Sequence, residues 1–277
     1  IILSQQGLRV TLVDADLGMA NADVLCGLMP SRRLDRAVAV RESLEDLAVG
    51  APGGFRLVPG SVGVAQLGEL PQREREALLA GLVDLDSTSD VILIDTAAGA
   101  SSSVLGFLRV ADLAVVVTTP EPTAITDAYS LIKCLVQGHG VFGCKPSDRP
   151  KADLGEPPGD VRLVVNQAID SAEAESVYRR IEGVCGRFLG VELGFLGAMC
   201  ADRAVPEAVR ARHPFVLGKP HGEASLSVVR IAAQIARALE LSAKVRTFRP
   251  RGLRAMFGGW FDRAVSDGSA ATAGALG

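Results

Sequence analysis

The sequence predicts a doubly wound α/β fold built on a mostly parallel sheet. Three observations carry that expectation. Short runs rich in Val, Ile and Leu recur between longer helical patterns. Those runs are nearly continuous in apolar residues, as strands covered on both faces are. Apolar residues make up 48% of the 277 and aromatics only 4%, so the core rests on aliphatic side chains. A chain of this length buries a substantial core.

The expected strands, in order, are RVTLVD (9–14), FRLVPG (55–60), DVILID (90–95), DLAVVVTT (112–119), VRLVVN (161–166) and VELGFLG (191–197). Helical patterns fill 71–86, 101–110, 121–137, 171–188, 203–211 and 223–240, and the opening IILSQQG reads as the end of a helix. Strand-helix alternation at this spacing builds βαβ units, whose ligands bind beyond the carboxyl ends of the strands. The conspicuous polar groups all follow strands: Asp14 and Asp16, Asp95, Thr118 and Thr119, and Asn166. An acid in that place, such as Asp95 before the turn at Gly99, suits a hard cation like Mg²⁺. The alternative is a turn former or helix cap. Residues 143–160, GCKPSDRPKADLGEPPGD, read as a surface insertion within the domain.

Composition excludes several classes. With 29 Lys and Arg against 32 Asp and Glu, the net charge of -3 exerts no global pull toward nucleic acid. The five cysteines are scattered without a CxxC, which speaks for free thiols in a reducing compartment and against a zinc or iron–sulfur site. No apolar run nears the roughly 20 residues that span a membrane, and no secretory leader is legible at the start.

The tail differs in character. In KVRTFRPRGLRAMFGGWFDRAV (244–265), Leu253, Met256, Phe257, Trp260 and Phe261 fall on one face of a helix, downstream of a cluster of Lys and Arg. That combination suits an anionic membrane surface. Folding back onto the core is the alternative. Residues 266–277 are small and polar enough to be expected disordered.

Read together, VTLVDADLGMANADVLCGL, LVPGS, VILIDTAAGASSSVLGFLRVADLAVVVTTPEPTAITDAYSLIK and VRLVVNQA resemble the MinD/ParA class of P-loop ATPases. The TTPEPTAITDAYSLIK segment is similar to the flagellar-number regulators, FlhG. The likeness covers about residues 1–240, so a MinD/ParA-like nucleotide-binding domain is expected over 1–242 and a basic amphipathic tail over 243–277. The resemblance implies ATP and Mg²⁺ as cofactors. It gives Asp16 the catalytic role of orienting the attacking water, and Asp14 a companion role near the Mg²⁺ shell. Asp95 would serve the metal, Gly99 lie near the γ-phosphate, and Asn166 hydrogen-bond the adenine. Phosphoryl transfer to water depends mainly on such positioning.

Two departures stand out. The family's phosphate loop, of the form KGGVGKT, and the strand before it have no counterpart here. The sheet is therefore expected to lack its first strand, and the 277 residues to bind ATP poorly and hydrolyse it negligibly. A truncated reading frame explains this most simply; a degenerate pseudo-ATPase is the alternative. Gly197 also stands near a position where the family often has proline, which puts base-side contacts from Ala198 to Asp202 in doubt.

The expected function is a MinD-like, ATP-dependent dimerising switch that positions flagella or the division site. Its expected partners are a second copy of the chain, a protein activator or flagellar or division partner, and an anionic membrane bound through the C-terminal helix. Its expected place is cytoplasmic, peripheral at the inner face of the cell membrane. The alternatives are a ParA-like DNA-partitioning ATPase and a non-enzymatic interaction module.

Overall fold

The computed structural model describes residues 1–16, 18–34, 43–61, 72–137 and 160–241, without the side chains of 72–77. The tail with Leu253, Met256, Phe257, Trp260 and Phe261, and the insertion up to 159, lie outside the described residues.

A short helix α1 (Ile2–Gln5) leads into β1 (Val10–Ala15). Then come α2 (Ala22–Leu25), α3 (Leu44–Leu47), β2 (Val49–Gly50), β3 (Arg56–Val58) and α4 (Gln72–Asp86). The centre of the chain is β4 (Val91–Thr96), α5 (Ser102–Val110), β5 (Ala114–Thr118) and α6 (Pro122–Gln137). The last part is β6 (Val161–Ala168), α7 (Ser171–Leu189), β7 (Gly194–Cys200), α8 (Ala204–Ala211), α9 (Phe215–Gly218) and α10 (Glu223–Ala238).

All six expected strands are present, and all pair in parallel except for the added antiparallel β2–β3 ribbon. The strands divide into two groups, with orders β2-β3-β1-β4 and β5-β6-β7. Helix α5 packs against β4 and α6, while α10 packs against β7 and reaches α1, so helices tie the groups together. Ala232 of α10 is buried with Leu3, Val10, Phe55, Leu57 and Val91 under the first group. The second group buries Val116, Leu163 and Val165 against Ile132 and Leu135 of α6 and Val177 and Ile181 of α7.

Local chemistry explains the boundaries. Pro59 offers no N–H, and β3 stops before it, shorter than the expected 55–60. The APGGF stretch closes the β2–β3 ribbon, with Gly53 at φ 87° and Gly54 at φ 91°, conformations that L side chains rarely adopt. Helix α7 is capped at both ends. The Asp170 carboxylate accepts from Glu173 N (2.8 Å), and Glu173 accepts in return from Ile169 N (2.7 Å). Gly190 ends the helix in the left-handed region. That stop lies one residue beyond the expected 188, and β7 begins at 194 rather than 191.

A polar network closes the amino-terminal end of the first group. Arg56 Nη2 donates to Thr11 Oγ1 (3.0 Å), Thr88 Oγ1 (3.0 Å) and Ser89 Oγ (3.1 Å), and Arg56 also pairs with Glu45. These groups satisfy one another, which marks them as structural. Cys26, Cys134, Cys185 and Cys200 are free thiols. Burial, and then the nearby Glu182 charge, push the Cys185 thiol up to about 11, so it behaves as an inert core residue. No described helix is long and apolar enough to cross a membrane.

Leu163 is fully buried at the centre of β6. Leu163→Ala should lower the unfolding free energy by about 2–5 kcal/mol in urea titrations. A loss no larger than that of an exposed substitution would contradict this core.

Candidate functional site

The site grows from one register. β1 and β4 pair in parallel with Asp14 opposite Asp95 and Ala15 opposite Thr96. Two acids on neighbouring strands thus meet at the carboxyl edge, and Asp16 follows directly.

Each carboxylate has its own environment. Asp14 is 1% exposed. Its Oδ2 accepts from Asn21 N and Ala22 N (both 3.0 Å), and its Oδ1 from Asp16 N (3.3 Å). Asn21 stands at the N-cap of α2, but its side chain makes no cap bond; Asp14 does that work from the strand. Burial nevertheless raises the Asp14 pKa above its ordinary value, outweighing the three backbone donors, with the Asp16 charge adding to the rise. Asp16 folds its own loop: Oδ1 accepts from Gly18 N (3.2 Å) and Met19 N (3.0 Å). Asp95 is open on its solvent side while surrounding protein withdraws water from the other. That desolvation, and then the charges of Asp14 and Asp16, hold its pKa above the ordinary 3.8.

Glycines shape the same edge. Gly99, in the turn after β4, has φ 92°, a backbone that favours glycine. Gly60 is needed for space. A Cβ there would overlap the Asp14 carbonyl oxygen and lie 2.6 Å from Ala20 Cβ and 3.1 Å from Asp14 Cγ. Behind it, the Arg33 guanidinium bridges Gly60 O (3.2 Å) and the buried Asp23 carboxylate (2.6 Å). Neither Gly60 nor this ion pair was singled out in the sequence. The Pro-Gly step after an apolar run was the one available signal.

The other expected positions lie in or beside the second strand group. Asn166 lies two residues before the end of β6 in the second group, opposite Met199, and its amide oxygen accepts from Gln167 N (2.9 Å). Gln167 takes φ 57° inside β6, where the strand slips register against β7. Thr119 and Glu121 hydrogen-bond to each other before α6. Gly197 has φ 128° and lies where β7 slips register against β6, so glycine suits that position for backbone reasons. Asp202, whose part in base contacts was in doubt, accepts from Ala204 N (2.8 Å) and Ala224 N (3.2 Å). Those two bonds hold its pKa below the ordinary range and tie α8 to α10.

The rim suits a cation better than a phosphate. Asp95 presents an exposed carboxylate whose charge is disfavoured by desolvation and then by neighbouring acids, a burden that Mg²⁺ would relieve. No group of three or more His, Cys, Asp or Glu among the described residues is arranged to hold a metal. A triphosphate needs cationic or N–H donors. Among the described residues, no ion pair brings Lys or Arg to Asp14, Asp16 or Asp95.

This mostly parallel α/β fold is shared with solved MinD/ParA-class proteins. The septum site-determining protein MinD complexed with Mg-ADP from Pyrococcus horikoshii superposes with a TM-score of 0.65 at 20% identity, covering 88% of this chain and 90% of that one. The cell division ATPase MinD of Pyrococcus furiosus gives 0.62 at 22%, covering 85% and 89%. No family model matches the chain. Among curated proteins, the antiactivator FleN of Pseudomonas aeruginosa is 34% identical over 235 residues, covering 85% of this chain and 78% of FleN. The flagellum site-determining protein YlxH of Helicobacter pylori is 28% identical over 242 residues, covering 87% and 76%. The chain belongs to the MinD/ParA-type ATPase family, in its FleN/FlhG branch.

Two outcomes test this geometry. Gly60→Ala should destabilise the protein by about 1–3 kcal/mol through overpacking against Asp14, read by denaturant unfolding; a neutral effect would contradict the close approach. Asp95 binds its proton more tightly folded than unfolded, so its contribution to stability falls as pH rises from 3.8 through the elevated folded value. Asp95→Asn should therefore raise Tm at neutral pH, with the gain shrinking as pH drops through the elevated folded value and lost by about 3.8. Calorimetry showing a pH-independent or negative change would reject the crowded-acid account.

Proposed function

We propose that the protein is a MinD-like, ATP-dependent switch that dimerises at the inner membrane surface and positions flagella or the division site. The observation that carries this reading is the rim of Asp14, Asp16 and Asp95 at the carboxyl edge of β1 and β4, in a chain of the FleN/FlhG branch. In this reading Asp95 holds Mg²⁺ through water, Asp16 orients the attacking water, and Asp14 keeps the loop between them in place. Gly99 lets the backbone approach the γ-phosphate, and Asn166 contacts the base. The remaining phosphate contacts come from donors beyond the described rim. Bound Mg²⁺-ATP supplies the phosphoryl group whose transfer to water resets the switch.

Surface chemistry supports the dimer. Met19, Val24, Leu25 and Met29 are exposed on the loop and helix that follow Asp16, and Met29 is 97% exposed. Apolar surface next to a nucleotide rim suits a partner that docks when the rim is filled. FleN is named an antiactivator and YlxH a flagellum site-determining protein, and a MinC:MinD complex is known from Aquifex aeolicus. A protein partner of that kind fits this chain too. The basic, Trp-bearing tail supplies the membrane contact, and two tails together bind far better than one.

Flotation with anionic vesicles tests the membrane arm. The protein should float with them, Trp260→Glu should abolish it, and Mg²⁺-ATP should strengthen it. Equal flotation of the variant would remove the membrane claim. A gel shift with duplex DNA under the same conditions, together with no flotation, would favour DNA partitioning instead.

A further inference from the structure

Two carboxylates at separate places on the carboxyl edge each start a helix, and those two helices touch at their far ends. On the acid rim, Asp14 accepts from Asn21 N and Ala22 N and so begins α2. Beyond β7, where base contacts were expected, Asp202 accepts from Ala204 N (2.8 Å) at the start of α8 and from Ala224 N (3.2 Å) in α10. Each helix then stops in the same way. Gly27 follows α2 at φ 67°, and Leu28 N donates back to Asp23 O (2.8 Å). Arg212 ends α8 at φ 51°, and His213 N donates back to Ala208 O (3.1 Å). Both are left-handed stops of the kind that close helices.

The two left-handed residues lie against each other. A Cβ at position 27 would stand 2.9 Å from the Arg212 carbonyl oxygen and 4.0 Å from Arg212 Cβ. Glycine at 27 therefore answers two demands, the left-handed backbone and the close approach. Arg212 has no such freedom, and an L side chain in that region is held at a cost that its surroundings must offset. Among the described residues, only Gln167, Arg212 and Glu240 take a positive φ without being glycine.

We propose that the contact between Gly27 and Arg212 is a latch that makes α2 and α8 one bracket, from Asp14 at one end to Asp202 at the other. The element with two arrangements is the contact itself, with Gly27 seated on the Arg212 carbonyl or apart from it. Loosening the cap of either helix shifts that one equilibrium, so each arm responds to the other. In the nucleotide switch proposed above, the two ends of a bound nucleotide would act on one body, and on the exposed Val24 and Leu25 that α2 carries. That consequence rests on the earlier reading, whereas the latch is a property of the chain without nucleotide.

Hydrogen exchange of the full chain, read by mass spectrometry without nucleotide, tests the latch. Asp202→Ala removes the acceptor of Ala204 N and Ala224 N, so the bonds lost lie in α8 and α10. Exchange over 22–28 should nevertheless rise at least about fivefold. Helix α7, which belongs to neither arm, should exchange at an unchanged rate. Gly27→Ala keeps the latch from seating, and adding Asp202→Ala to it should leave 22–28 no faster than in Gly27→Ala alone. Gly27→Asn brings the same clash in a residue that tolerates the left-handed backbone, and it takes the place of Gly27→Ala if circular dichroism shows that variant unfolded. Arg212→Gly keeps the carbonyl and should keep the coupling. Four results would each overturn the proposal: no rise over 22–28 on Asp202→Ala, an equal rise in α7, the same rise with Gly27 replaced, or its loss in Arg212→Gly.

Discussion

Parallel pairing between β1 and β4 is the constraint on which the rest depends. It runs unbroken from Val10 opposite Val91 to Ala15 opposite Thr96, so side chains at equal height face the same layer. Asp14 and Asp95 arrive together at the carboxyl edge because of that register. A slip of one residue would turn each strand's side chains to the other face. The apolar rows below fix the register, and the acids are carried along. Burial first, and neighbouring like charges after it, oppose the arrangement, which is why both pKa values stand above the ordinary range.

What offsets this cost is backbone. Asp14 takes three main-chain donors, from Asp16, Asn21 and Ala22, and so ends a strand, starts a helix and organises the loop between them. Gly60 lets the chain after β3 pass against that carboxylate, and Arg33 holds the passing strand to Asp23. The rim is thus a rigid turn packed from behind, with Asp16 and Asp95 on its open side. Rigidity of this kind is what a group that must orient a metal or a water requires.

Family membership and the division of the sheet bear on different levels. Identity of 34% to FleN over most of both chains speaks for common ancestry and a common scaffold. The open edges of β4 and β5 speak for energetics. Apolar side chains at those positions, such as Leu93 and Val117, gain stability only when covered. The same reasoning sets Met19 and Met29 apart from a single stray hydrophobe, since they sit beside the charged rim.

Much of this was legible in the residues. Periodicity and breakers located all six main strands and the long helices within a few positions, because buried parallel strands and amphipathic helices write strong local patterns. The same patterns placed Asp14, Asp16 and Asp95 after strands. The short elements were not legible: β2, α3 and α9 owe their form to neighbours rather than to their own two to four residues. Nor could local pattern reveal that Asp14 spends its carboxylate on a helix start, that Gly60 is a matter of space, or that Asn166 belongs to a separate group of strands. Those facts depend on which strands pair and how closely they approach, and only the packed chain decides distances between residues far apart in sequence.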